Sequence, residues 1–181
     1  MKIEQSLRLA ILDKRFCCAF QAKVDIRTKE VTGIEALVRL RDDEGVIQAP
    51  GTFINLATEL GLIGELTHLV LAEIVKSIDL INDSFGADTT ISINVAAKQA
   101  GNPEFMRPFA QALEATGFPR RFMIEVTEDA FVTKTHFQDE ILPIFRKLGI
   151  GISIDDFGIG YSSLSALADI TADEIKIDRS F

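Results

Sequence analysis

No apolar run in this chain approaches the ~18 residues a helix needs to cross a bilayer. A spanning segment is therefore excluded, and the chain is expected to make no membrane contact and to work in the cytoplasm. The opening MKIEQSLRLAILDKRF sets charges among its apolar positions, which denies it the uninterrupted core of a secretory leader. Thiols are scarce. Cys17 and Cys18 are neighbours in a strand-like segment, so their side chains should point to opposite faces. No second thiol pair exists to build a zinc site or a disulfide framework, and both read as reduced packing residues. A basic excess is also missing: 19 Lys and Arg face 27 Asp and Glu, a formal net charge of -8. That balance excludes a protein that grips long nucleic acid by neutralising phosphates. A small phosphate ester remains open, because bound divalent cations reverse the local sign of an acidic pocket. Low-complexity tracts, Pro/Ser-rich linkers and short-period repeats are likewise lacking.

What is present is an ordinary globular composition, 47% hydrophobic and 25% charged over 181 residues, enough for one domain with a sizeable core. After an amphipathic helix near Ile3 to Lys14, β-rich apolar runs alternate with helical patterns, the signature of βαβ units and a parallel sheet. Strands are expected at Cys18 to Ile26, Val31 to Leu40, Thr90 to Ala96, Arg121 to Thr127, Gly151 to Asp155 and Glu174 to Asp178. Helices are expected at Thr52 to Leu60, Gly64 to Asn82, Pro103 to Thr116 and Phe137 to Leu148, where Pro143 should delay the start or bend the axis. The first two strands are joined by RTKE, too short for a crossover, so they should form an antiparallel hairpin. A (β/α)8 barrel typically needs about 250 residues. The expectation is therefore a barrel of that kind lacking its last βα units, because an open sheet would expose two long edges.

Residue parity carries the chemistry, since alternate residues of a strand face opposite sides. Glu35, Leu37 and Arg39 share one face of their strand, opposite Ile34, Ala36 and Val38. Ser92 and Asn94 oppose Ile91, Ile93 and Val95; Glu125 opposes Ile124 and Val126; Ser153 and Asp155 oppose Ile152 and Ile154; Lys176 and Asp178 oppose Ile175 and Ile177. If the apolar parity packs on helices, the other parity gathers Glu35, Asn94, Glu125, Asp155 and Lys176 toward the C-terminal strand ends, where barrel enzymes keep their sites. Carboxylates brought that close repel and take up protons unless a cation compensates them. The donors are all oxygen, with Asp156 following Asp155 as a further carboxylate, and hard donors of this kind suit Mg²⁺ or Mn²⁺, or Ca²⁺, rather than zinc. The set accommodates two ions, with Asp155 bridging.

Any single acid is more often a cap or a solvated loop residue than a ligand. Five on one parity of five strands resist that explanation. His68 and His136 lie in or beside amphipathic helices without a partner cluster, and read as structural.

These residues fall in ordered motifs, GIEALVRL, INVAAKQ, IEVTED, ISIDDFGIGYSSL and DEIKIDRSF, and together they resemble the EAL-domain phosphodiesterases. The match spans nearly the whole chain, about the first two-thirds to three-quarters of such a domain. The resemblance implies a TIM-like barrel with an antiparallel first strand, over residues 1–181, with 1–15 a leading helix. It implies metal ligation by Glu35, Asn94, Glu125, Asp155 and Asp156, with one or two Mg²⁺ or Mn²⁺ ions and Ca²⁺ inhibitory. Lys176 would stand beside the attacking water, Glu35 and Asp155 would share in catalysis, and Gln21, Leu37 and Arg39 would contact substrate. Glu128 would hold the loop after Asp156, which couples metal binding to dimerisation in similar proteins. The implied reaction opens one phosphodiester bond of cyclic di-GMP to give linear pGpG. Implied partners are a second copy of the domain and fused sensory or GGDEF domains.

Two segments depart from the family pattern. Ala22 and Lys23 follow Gln21 where QP is usual, and Ile159 stands where a threonine or small residue is usual in the DFG loop. The family's later glutamate and glutamine have no counterpart before Phe181, so the chain alone is expected to be inactive. The alternative is a cyclic di-GMP receptor without turnover.

Overall fold

The computed structural model describes residues 2–127, 137–158, 172–178 and 180. The chain forms two compact units, residues 1–93 and residues 94–181.

In the first unit, α1 (Lys2–Leu12) turns Leu7 and Ala10 inward, three residues apart as one helical face requires. They join Phe16, Phe53, Ala57, Leu62 and Leu66 in a buried cluster. The Phe16 and Phe53 rings meet edge to face at 5.4 Å. Each such side chain, fully buried, contributes about 1.5–3 kcal/mol. Strands β1 (Phe16–Val24) and β2 (Val31–Arg41) form the antiparallel hairpin that the short connection requires. Asp25 closes its turn, its Oδ1 accepting from the amides of Arg27 at 2.7 Å and Thr28 at 3.2 Å.

The short β3 (Ile47–Gln48) pairs with the end of β2; two residues are too few for periodicity to reveal. Instead of one helix over Thr52 to Leu60, a 3₁₀ turn at Pro50–Thr52 precedes α2 (Ile54–Glu59). The long helix expected over Gly64 to Asn82 is two, α3 (Ile63–Lys76) and α4 (Ile78–Phe85). Ser77 separates them: its amide closes α3 on the Glu73 and Ile74 carbonyls, while its own carbonyl receives the Ile81 amide. Strand β4 (Thr90–Asn94) then runs parallel to β2, with Ser92 opposite Glu35. The two strands approach closely at Gly33, where a Cβ would lie 2.5 Å from Thr90 Oγ1.

The second unit begins at Asn94, the last residue of β4. The helices α5 (Ala97–Ala100) and α6 (Pro103–Ala115) follow, α5 having escaped the sequence reading because it is a single turn. Asn102 caps α6, accepting the Glu104 amide at 3.0 Å, and Pro103 occupies the first turn, where no amide is needed. After β5 (Phe122–Thr127) comes a π-helical turn, Phe137–Ile141, and then α7 (Leu142–Leu148). Pro143 thus delays the regular helix, as its missing amide dictates. Gly149, at φ 74, ends α7 in the left-handed conformation.

Strands β6 (Gly151–Phe157) and β7 (Glu174–Ile177) complete a parallel set in the order β5, β6, β7. Helices α6 and α7 pack on each other. They bury Phe109, Leu113 and Phe145, while the sheet buries Ile124, Val126, Ile152 and Ile154. All six expected strands are found; in β7, the last within residues 1–181, Ile175 is 44% and Ile177 70% exposed.

Candidate functional site

In the second unit, Glu125 lies in β5, flanked by Ile124 and Val126, which hold the strand in the core and turn the carboxylate to the other face. Its side chain is wholly buried. A buried carboxylate demands a partner. Lys176 of β7 supplies one, its Nζ donating to Glu125 Oε2 at 2.8 Å and to Asp155 Oδ2 of β6 at 3.1 Å. Carboxylate oxygens of Glu125 and Asp155 lie within 4.8 Å of one another. Three of the predicted residues, from three strands, are therefore brought together.

Asp155 and Asp156 occupy a bulge. From Ile154 to Phe157 β6 advances three residues, while β7 advances two, from Ile175 to Ile177. The extra residue breaks the ladder and re-aims a side chain, as bulges beside functional groups do. Asp156 absorbs the turn in its own backbone at φ 55, a left-handed value that Asp tolerates better than most residues, and Gly158 follows at φ 104. The Asp156 amide donates to Asp155 Oδ1 at 2.9 Å, so Asp155 is fixed from both ends of its carboxylate. Burial, then the charges of Asp155 and Asp178, push the Asp156 carboxyl above the ordinary carboxylate range, with Lys176 pulling the other way.

Asn94 ends β4, exposed, and the amide of Val95 donates to the Glu125 carbonyl at 2.9 Å, which ties the residue after Asn94 to the strand carrying Glu125. Asp178 was overlooked as a site residue; it shares the parity of Lys176, but only the fold sets its charge upon Asp156. Glu128, Ile159, His136 and the rest of the DFG loop beyond Gly158 lie outside the described residues.

In the first unit, Glu35 sits in the middle of β2 rather than at its end, because pairing with β1 and β3 carries that strand on to Arg41. It is half-buried, opposite exposed Gln21 in the hairpin and Ser92 in β4. Leu37 lies opposite Ala19. Arg39 is half-buried, and its Nη1 donates to the Val38 carbonyl at 2.9 Å. Lys23, on the parity of Gln21, reaches Ser92 Oγ at 2.8 Å. His68 is exposed on α3 and bonded through Nδ1 to the Gly64 carbonyl at 2.9 Å, as a structural histidine should be.

The chemistry of the donors fits a hard cation: Glu125, Asp155 and Asp156 offer carboxylate oxygens, Asn94 an amide oxygen, and neither imidazole nor thiolate stands among them. The lysine between Glu125 and Asp155 adds a fixed positive charge suited to a phosphate.

A family model described as EAL domain matches residues 4–181. The chain is 33% identical over 182 residues to the cyclic di-GMP phosphodiesterase NbdA of Pseudomonas aeruginosa, covering 100% of itself and 23% of that protein. It is 35% identical over 179 residues to the signaling protein YkoW of Bacillus subtilis, covering 98% of itself and 22% of YkoW. Among solved structures, the PaMucR phosphodiesterase in complex with c-di-GMP superposes with a TM-score of 0.88 at 33% identity, over 99% of this chain and 73% of the other. The chain thus spans under a quarter of the length of these two curated relatives.

Proposed function

This chain belongs to the EAL domain family, and on that premise we propose that the protein carrying it hydrolyses one phosphodiester bond of cyclic di-GMP to give pGpG, assisted by Mg²⁺ or Mn²⁺. The observation that carries the reading is the contact of Lys176 with both Glu125 and Asp155. It is supported by the names of NbdA and PaMucR as phosphodiesterases.

Glu35, Asn94, Glu125, Asp155 and Asp156 would hold the metal, on the motif order of the chain. When bound, a divalent ion lowers the pKa of a water and offsets charge on the reacting phosphate. The protein's own groups do the remainder. Lys176 holds the carboxylates of Glu125 and Asp155 in place and presents an ammonium to the charge that develops on phosphorus-bound oxygen. Arg39 offers a planar fork to a phosphate, and Gln21 and Leu37 contact the nucleotide. Glu128 would hold the loop after Asp156. A cytoplasmic location, pairing with a second copy and fusion to sensory or GGDEF domains belong to the same proposal.

Incubation of the full-length protein with cyclic di-GMP and Mn²⁺, followed by chromatography, is expected to show pGpG, and Glu35→Ala is expected to abolish it. A near-normal rate for Glu35→Ala in metal-supplemented buffer would count against the assignment. Binding of cyclic di-GMP with no linear product over many hours would instead establish a receptor.

A further inference from the structure

The reading of Lys176 as the cation of the reacting site raises the question of what fixes its height along the sheet. Backbone pairing is interrupted. Beneath the bulge at Asp155 and Asp156, β7 has two ladder partners on β6, Ser153 opposite Glu174 and Ile154 opposite Ile175, and above it one, Phe157 opposite Ile177. Hydrophobic burial ordinarily sets strand register; the polar contacts at the start of β7 add a second constraint. A slip of one residue would exchange the two faces and put an isoleucine where the lysine stands.

We propose that Asp173 is the positioning residue that locks this register, and that it acts on the reaction through Lys176. Its Oδ2 accepts the amide of Ile152 at 2.7 Å, so the side chain stands in for the backbone carbonyl that would extend the ladder. Its own amide returns a bond to the Ile152 carbonyl at 2.8 Å. This reciprocal pair has one alignment only, because a side-chain oxygen and a backbone amide of the same residue must both meet Ile152. Ile152 is fully buried, so its amide has no water to fall back on if the carboxylate is withdrawn. Arg146, in the last turn of α7, donates to the same Oδ2 at 2.5 Å and holds the carboxylate in place. One rung higher, Ser153 Oγ donates to Glu174 Oε1 at 2.8 Å, and two residues beyond Glu174 comes Lys176, on the same face, level with Asp155. The polar ties therefore fix the strand at its start, below the bulge.

The test compares Asp173→Ala and Asp173→Asn in the full-length protein. Asp173→Ala is expected to lower kcat by about 100-fold, the scale of a misplaced reacting group, with KM nearly unchanged. Asp173→Asn keeps an oxygen for the Ile152 amide and is expected to recover most of the rate. In a Lys176→Ala background, Asp173→Ala is expected to cost nothing further, because the residue acts through the lysine. An unaltered kcat, or the same fold loss with and without Lys176, overturns the proposal. Should Asp173→Ala fail to fold, Asp173→Ser, too short to reach the amide, carries the same expectations. Hydrogen exchange over residues 174–177 reads the register without turnover: faster exchange in Asp173→Ala but not in Asp173→Asn supports the lock, and unchanged exchange overturns it. Absence of turnover in the unsubstituted protein, alongside the expected exchange, sinks the phosphodiesterase reading and leaves the register lock standing.

Discussion

Lys176 and Glu125 form an asymmetric ion pair: at 2.8 Å from Nζ to Oε2, the carboxylate side chain is wholly buried while the lysine keeps 26% of its side-chain exposure. The asymmetry decides which partner's loss is costly. Removing the lysine strips a charged group that water cannot reach, whereas removing the glutamate leaves a lysine that still touches both solvent and Asp155. Lys176→Met is therefore expected to destabilise the metal-free protein by about 3–5 kcal/mol, and Glu125→Gln by distinctly less. Urea unfolding with and without Mn²⁺ measures both. Added metal should restore much of the loss in Lys176→Met, since a cation then compensates the same carboxylates. Equal midpoints for the two variants would contradict this ranking.

Gly33 is a packing constraint beneath Glu35. A methyl group there meets Thr90 Oγ1 at 2.5 Å, so Gly33→Ala is expected to destabilise by about 1–3 kcal/mol, the usual cost of overfilling a packed site. Thr90→Ala removes the obstructing atom, and the double variant should recover part of the loss. A strictly additive result in thermal unfolding would show that the close approach is not the cause.

Cys18 should be chemically quiet. Burial, followed by the charge of Glu73, pushes its thiol up to about 12, so at pH 8 almost none is present as the reactive thiolate. Alkylation by iodoacetamide, mapped by mass spectrometry, is expected to be slow at Cys18 in the folded protein and fast in urea. Rapid labelling of Cys18 in the native state would refute the assignment of this residue to packing.

The β1–β2 turn should lose its contribution in acid. The Arg27 and Thr28 amides hold the Asp25 carboxyl below its usual range. A carboxyl with a lowered folded pKa stabilises the fold above its unfolded value, near 3.9, and loses that effect as the pH falls toward the folded value. Asp25→Asn keeps an acceptor oxygen but cannot titrate, so the gap in thermal midpoint between the two proteins should narrow below pH 4. A gap that stays constant from pH 7 to pH 3 would exclude this role.

Much of the architecture was legible because strand parity and helix stops are local. Ile124 and Val126 around Glu125, or Ile152 and Ile154 around Ser153, announce a buried strand with one polar face, and the structure buries all four isoleucine and valine side chains. At Ile175 and Ile177 the same alternation records which residues share a face, and what covers that face is not written in the strand. Ser77 likewise interrupts a helical pattern that remains continuous in sequence. There the backbone bonds made at one residue decide the break, and no composition signals it.

The order of chemical groups along the chain, a glutamate, an aspartate and a lysine on polar strand faces, was fixed by sequence, because period-two alternation belongs to the strand itself. Tertiary structure alone decided that Lys176 bonds Glu125 and Asp155, that β6 gains a residue on β7 so that Asp156 turns at φ 55, and that Asp173 meets the Ile152 amide. Those are relations of register between strands far apart in the chain. Register is set by packing and hydrogen bonding across the sheet, which no single strand carries in its own letters.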